Sequence, residues 1–165
     1  MTSRDQEFDD FFLSHYDAIV RTLTAITGDH DRATDAAQEA FIKAYAKWPT
    51  VRKYDMPWAW VRRVAINASR DSHRSERRRL RRERRQDASA VPSPADDVIG
   101  TDSARAMLDG LPRRLREVAT LFYVDDQSVH MIATILNVSE GTVKSHLSDA
   151  RRHMREHLET ERADR

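Results

Sequence analysis

Apolar positions along this chain recur with the period of a helix. Phe8, Phe11, Phe12, Ile19, Leu23 and Ile26 share one helical face, and Gly28 follows where a helix would close in a left-handed cap. This spacing predicts a first helix over Asp5 to Thr27. After a turn through Asp29 and Asp31, Ala37, Ala40, Phe41, Ala44, Tyr45 and Trp48 fall at i, i+3, i+4, i+7, i+8 and i+11, and Pro49 closes the stripe. The second helix should pack on the first and leave Asp35, Gln38, Glu39 and Lys43 outside. Thr50 to Met56 has no periodicity and reads as a loop. Pro57 suits the first turn of a third helix whose stripe is Trp58 or Val61, then Val64, Ala65 and Ala68. Trp58 is expected in the core and Trp60 in a more open place, with Arg62, Arg63, Asn67 and Arg70 on the other faces. Beyond Asp71 the stripe fades, and residues 75–86 read as a frayed basic extension with only Leu80 to bury.

Residues 87–100, DASAVPSPADDVIG, have no periodic face and form the one compositional break, so they read as a linker. Thr101 or Asp102 can cap a further helix containing Ala104, Met107, Leu108 and Leu111. Pro112 opens the next, with Leu115, Val118, Leu121 and Phe122 inward and Arg113, Arg114 and Arg116 exposed. Val129, Ile132, Ala133 and Leu136 then share a face, Asn137, Val138 and Ser139 interrupt it, and Val143, Leu147, Ala150, Met154 and Leu158 form the inward side of a last helix. Helix, three-residue turn and helix is the helix-turn-helix spacing. The expected fold is all-α, with two small helical domains over residues 1–86 and 101–165.

Charge makes this picture functional. The chain is nearly neutral, with 28 Lys and Arg against 27 Asp and Glu, yet 13 basic and four acidic groups lie in residues 51–86. Residues 87–104 carry four acidic groups and no basic one. A basic block inside a neutral chain is the footprint of a polyanion binder, because each Lys or Arg that meets a phosphate releases a condensed counterion. With no cysteine, disulfides and thiolate metal sites are excluded. The acidic start and the lack of a long apolar run predict a cytoplasmic protein without a membrane span.

In a helix-turn-helix the second helix must enter a major groove about 12 Å wide, which favours short polar and basic side chains near its start. Glu140, Thr142, Lys144, Ser145, Ser148, Asp149, Arg151 and Arg152 supply that face. His153-Met154-Arg155-Glu156-His157 has the spelling of a zinc peptidase motif, but Met154 belongs to the apolar stripe and no further ligand cluster accompanies it. No phosphate-binding glycine loop or nucleophile triad is evident, so neither an enzyme nor a cofactor is expected.

The stretch Leu111-Pro112 to Val118, followed by Ile132-Ala133, Leu136, Val138 to Ser145 and Ala150-Arg151, resembles region 4 of bacterial sigma-70-type factors. Ala33 to Phe41, with Trp58 to Asn67, resembles region 2. Both regions in order, with only a linker between, resemble the extracytoplasmic-function group of RNA polymerase sigma factors. The resemblance implies that Asp35, Gln38 and Glu39 dock on the clamp helices of the largest subunit of core RNA polymerase, and that the flap is a further contact. It implies a minus-10 reader in Lys53, Tyr54, Trp60, Arg62, Arg63 and Asn67, with Asn67 at the base-capturing position. It implies a minus-35 reader in Lys144, Ser145, Ser148 and Asp149, with Arg151 and Arg152 beside them on the DNA face. Promoter DNA, core polymerase and an anti-sigma factor are the implied partners.

Several positions depart from the family pattern. Asp149 stands where arginine is sometimes found, so the preferred element differs or the carboxylate turns toward Arg152 or His153. Asn137 replaces a turn glycine, but asparagine tolerates the left-handed conformation. His146 replaces arginine. Thr142 to Leu147 also resembles the recognition helix of LuxR-type regulators, and the arginine run alone would suit an RNA-binding accessory protein, so both readings stay open. Within the basic stretch, Pro57 to Arg70 is expected to melt and read DNA, and Asp71 to Arg85 to give electrostatic support.

Overall fold

The computed structural model describes residues 2–86 and 103–164, so the linker and the caps at Thr101 or Asp102 lie outside the described residues. Among the described residues every regular element is a helix, as the apolar spacing requires. Helix α1 (Ser3–Thr27) starts on a reciprocal cap: the Thr2 hydroxyl accepts from the Asp5 amide at 3.2 Å, and the Asp5 carboxylate accepts from the Thr2 amide at 2.9 Å. It ends at Gly28, whose φ of 72° lets its N–H reach the Thr24 carbonyl at 2.8 Å. Helix α2 (His30–Ala46) is capped by Asp29, which accepts from the Arg32 amide.

Helix α2 ends at Ala46, short of Trp48, and a separate helical turn, α3 (Trp48–Val51), takes in Trp48, Pro49 and the first two residues of the segment expected to be a loop. Trp48 and Val51 are buried there and anchor the connection. Phe8 meets Trp48 edge-on at 5.3 Å between ring centroids, and Phe11 lies 4.9 Å from the same ring. Phe12 meets Phe41 at 4.9 Å. Aromatic packing therefore sets where α3 sits, which periodicity over four residues cannot reveal.

Helix α4 (Pro57–Gln86) is one continuous helix of 30 residues. Residues 75–86, expected to fray, stay helical because arginine is a good helix former and Arg79 pairs with Glu83 one turn on. Burial on α4 is wider than one stripe. Ala59, Val61, Ala65 and Ala68 are buried, but so are Arg62, Ile66 and Ser69. The cause is that α4 packs against α1 and α2 on one side and against α7 (Val129–Leu136) on the other. Trp58 and Trp60 are both half-buried, so the expected contrast between them does not hold.

In the C-terminal half, α5 (Ser103–Asp109) leads through Leu111 and Pro112 to α6 (Arg113–Ala119), which runs on as a π-helical turn, Thr120–Val124. α7 and α8 (Glu140–Ala163) are capped by Ser128 and Ser139, whose hydroxyls each accept a backbone N–H at 3.1 Å. Leu108, Leu111, Leu115, Ala119 and Ala150 form one cluster. A larger cluster runs without a break from α1, α2 and α4 into Leu121, Ile132, Ile135, Val143 and Leu147, so apolar packing joins the two halves. Leu158, expected inward, is exposed, because α8 projects past the helices that could cover it.

Asn137 takes φ 55° and ψ 50°, the left-handed turn its side chain tolerates. Asn137→Ala is expected to cost about 1 kcal/mol of stability, and Asn137→Gly should cost little or nothing. Urea denaturation of the two variants checks this; equal loss in both would rule out backbone strain as the cause.

Candidate nucleic-acid interface

The α7–turn–α8 unit places the expected minus-35 residues on one side. Val143, Leu147 and Ala150 are buried, which turns Lys144, Ser145 and Ser148 to solvent on the opposite face. Asp149 pairs with Arg152 at 3.2 Å, one of the two alternatives its chemistry allowed. Arg151 is exposed but committed: its Nε donates to the Tyr123 hydroxyl at 2.8 Å, and its guanidinium lies over the Phe122 ring at 5.8 Å. The outer surface at the start of α8 is therefore short and polar, with Glu140 in its first turn and Lys144 in the next.

The expected minus-10 residues are not brought together as a single open surface. Lys53 and Tyr54 are exposed, Trp60 is half-buried 6.4 Å from the Tyr54 ring, and Asn67 is exposed with its side-chain oxygen accepting from Arg70 at 3.1 Å. Arg62 and Arg63 instead point into the C-terminal half. Arg63 donates to the carbonyls of Thr134 and Ile135 at the end of α7. Those are carbonyls a helix C-terminus leaves without an intrahelical partner, so the guanidinium acts as a cap.

Arg62 is buried, 3.4 Å from Asp125, and stacks on Trp58 at 5.5 Å. Its Nε and Nη1 find no hydrogen bond among the described residues, whereas Asp125 accepts from the Thr22 hydroxyl at 2.6 Å. Burial lowers the Arg62 pKa despite the attraction of Asp125, and burial raises that of Asp125 despite Thr22 and Arg62. Both partners are thus penalised by the contact between the halves. It is a poorly solvated pair, and such pairs add little net stability.

A stronger polar contact was not legible in the sequence. Glu117 has no exposed surface, and its carboxylate accepts from Arg70 Nε at 2.8 Å, from Arg70 Nη2, and from Arg113 Nε at 3.2 Å. The hydrogen bond to Glu117 is the chief reason the Arg70 pKa is raised. Arg113 also donates to the Ser69 hydroxyl at 2.6 Å. Arg116 donates to the Ile26 carbonyl at 3.1 Å and to the Leu111 carbonyl at 3.0 Å. Arg113 and Arg116, expected exposed, are therefore half-buried at the contact between the halves. An arginine next to a proline-initiated helix looks like a surface residue until its partner from the other half is known.

Asp35, Gln38 and Glu39 lie exposed in a row along α2, and Glu39 pairs with Lys43 at 2.6 Å. Ile42 continues this row and is 69% exposed, an apolar side chain the spacing did not single out. Phe41 points the other way into the core. Among the described residues no helix is long and apolar enough to cross a membrane, and no group of three or more metal-binding side chains is gathered.

Two family patterns match the chain: sigma-70 region 2 over residues 11–79 and sigma-70 region 4 over residues 101–154. An RNA polymerase sigma-E factor of Streptomyces coelicolor is 31% identical over 157 residues, covering 92% of this chain and 86% of that protein. A probable RNA polymerase sigma factor RfaY of Xanthomonas campestris pv. campestris is 32% identical over 143 residues; the match covers 81% of this chain but only 36% of that protein's length. The fold is similar to that of the sigma factor RpoE, solved with the anti-sigma factor NepR from Bartonella quintana, with a TM-score of 0.69 at 24% identity over 93% of this chain and 98% of that one.

Proposed function

The chain belongs to the extracytoplasmic-function group of the sigma-70 family of RNA polymerase sigma factors, and we propose that it reads promoters through two surfaces carried by residues 1–86 and 101–165. The first three turns of α8 enter the major groove of the minus-35 element. Lys144, Ser145 and Ser148 face the base edges, and Arg152, drawn toward Asp149, sits near the backbone with Arg151. The observation that carries this reading is the sidedness of α8, with an apolar seam fixed in the core and short polar residues facing out.

Strand capture falls to the start of α4 and the turn before it. Tyr54 and Trp60 offer ring faces to an unstacked base, Asn67 offers an amide, and Lys53 meets the backbone. Stacking of this kind is worth about 1 to 3 kcal/mol per base, enough to offset part of the cost of unpairing. Arg62 and Arg63 join this surface only after Asp125 and α7, respectively, have moved off them, so promoter entry requires the halves to separate. Asp35, Gln38 and Glu39 dock on the basic surface of the clamp helices of the largest polymerase subunit, with the flap meeting the C-terminal half. The protein acts in the cytoplasm, has no catalytic chemistry of its own, and has an anti-sigma factor among its partners.

The test is reconstitution with core polymerase. The holoenzyme should start transcription at defined promoters, and Trp60→Ala or Asn67→Ala should cut open-complex formation about tenfold while leaving core binding unchanged. Failure of the chain to bind core would sink the reading. A footprint on duplex DNA without polymerase would point to a regulator instead, and salt-sensitive RNA binding alone to an accessory role.

A further inference from the structure

The arginine run of α4 is sorted around the helix. Arg70, His73, Arg74, Arg77, Arg78 and Arg81 fall at i, i+3, i+4, i+7, i+8 and i+11, which is a single face. Arg79 lies opposite and pairs with Glu83 at 3.6 Å, while Glu76 pairs with Arg32. The cationic face looks across an open cleft of about 390 Å³, whose other wall is Arg113 and Arg114 at the start of α6. Glu117 is the one carboxylate lining the cleft, and it is already held by Arg70 and Arg113. Arg74, Arg77, Arg78, Arg81 and Arg114 thus border one space with no ion pair among the described residues.

Like charges one turn apart destabilise a helix, and here a second wall of the same sign is added from the other half. Burial first, and then the charges of Arg113, Arg77 and Arg32, hold the His73 pKa below its ordinary value, against the opposing pull of Glu76. We propose that this cleft binds a compact polyphosphate, either inorganic or the phosphate chain of a nucleotide, between α4 and α6. Guanidinium forks on facing walls suit a short chain that presents phosphoryl oxygens in several directions. Duplex DNA presents its phosphates on a rigid convex surface and can follow only one wall.

The ligand needs both walls, so it binds the docked arrangement more tightly than the open one and holds the halves together. If promoter entry requires the halves to separate, as argued above, polyphosphate opposes it; the binding itself does not rest on that reading. Calorimetric titration of the full chain with sodium tripolyphosphate, and separately with adenosine triphosphate, tests the site. One saturable equivalent is expected, with an upward shift of the His73 pKa followed by NMR. Arg74→Ala with Arg114→Ala, one from each wall, should weaken binding about tenfold or more. Arg79→Ala with Arg82→Ala removes the same number of arginines from other faces of α4 and should change affinity less than about twofold.

Equal affinity for the two probes identifies the phosphate chain as the group recognised, and tighter binding of the nucleotide adds a base contact to the same site. Equal weakening by the two double variants, or binding without saturation, would mean a general polyelectrolyte effect and overturn the proposal. So would competition by duplex DNA with the same dependence on Arg74 and Arg114, which would return the cleft to promoter binding.

Discussion

Glu117→Ala should lower the stability of the full chain by about 3–5 kcal/mol, because breaking a buried ion pair from one side leaves charge without a partner. The carboxylate is fully buried and accepts from two arginines, one from each half of the molecule. Its removal leaves Arg70 and Arg113 half-buried and repelling one another, and it weakens the contact between α4 and α6. Urea denaturation checks the magnitude. A companion variant separates charge from packing: Glu117→Leu combined with Arg70→Leu and Arg113→Leu fills the space without ions, and should recover most of the loss. A drop below about 1 kcal/mol for Glu117→Ala would show that water reaches the site and that the pair is ordinary surface electrostatics.

The second large effect is on assembly. Replacing Asp35, Gln38 and Glu39 together with alanine is expected to weaken binding to core polymerase about a hundredfold. Hydrogen bonds to charged groups contribute about 1.5–3 kcal/mol each when well sheltered, and less at an exposed surface. All three side chains face solvent, so the folded chain should lose almost nothing. Ile42, at the end of the same row, gives the surface an apolar edge, and Ile42→Ala should add to the loss. Competition binding of a labelled chain to core polymerase measures the effect. Unchanged affinity with unchanged stability would remove α2 from the docking surface.

The helices were largely legible, for a simple reason. Apolar spacing at Phe8 to Ile26, at Ala37 to Trp48 and at Val143 to Ala150 reports burial against immediate neighbours, because helical packing is mostly local; Tyr45, expected inward, is the exception, exposed with its hydroxyl donating to Asp5. The turn at Asn137 was legible because a side chain that tolerates the left-handed region stood between two periodic stretches. The α8 face could be read once its seam was known. What could not be read depends on partners distant in sequence. Arg62, Arg63, Arg113 and Arg116 look like surface arginines in any local window, and only the meeting of the halves buries them. Glu117 gives no local signal at all, since an acidic residue on a helix is ordinarily solvated. The helical turn at Trp48 was missed because four residues carry no period and the anchoring rings come from α1.

The unbroken course of α4 has a consequence for how this sequence can change. The residues proposed to capture a base, the contact with α7 and the cationic face beside α6 all lie on one rigid rod, so their angular phase is set by residue count. One residue inserted near Ser72 would leave Trp60 and Asn67 in place but turn everything beyond by about 100°. Arg74 to Arg81 would swing away from α6, although no side chain had been replaced. Seven inserted residues would restore the phase to within about 20°. Length variation among relatives should therefore be rare between Asn67 and Arg81 and come in multiples of a double turn where it occurs.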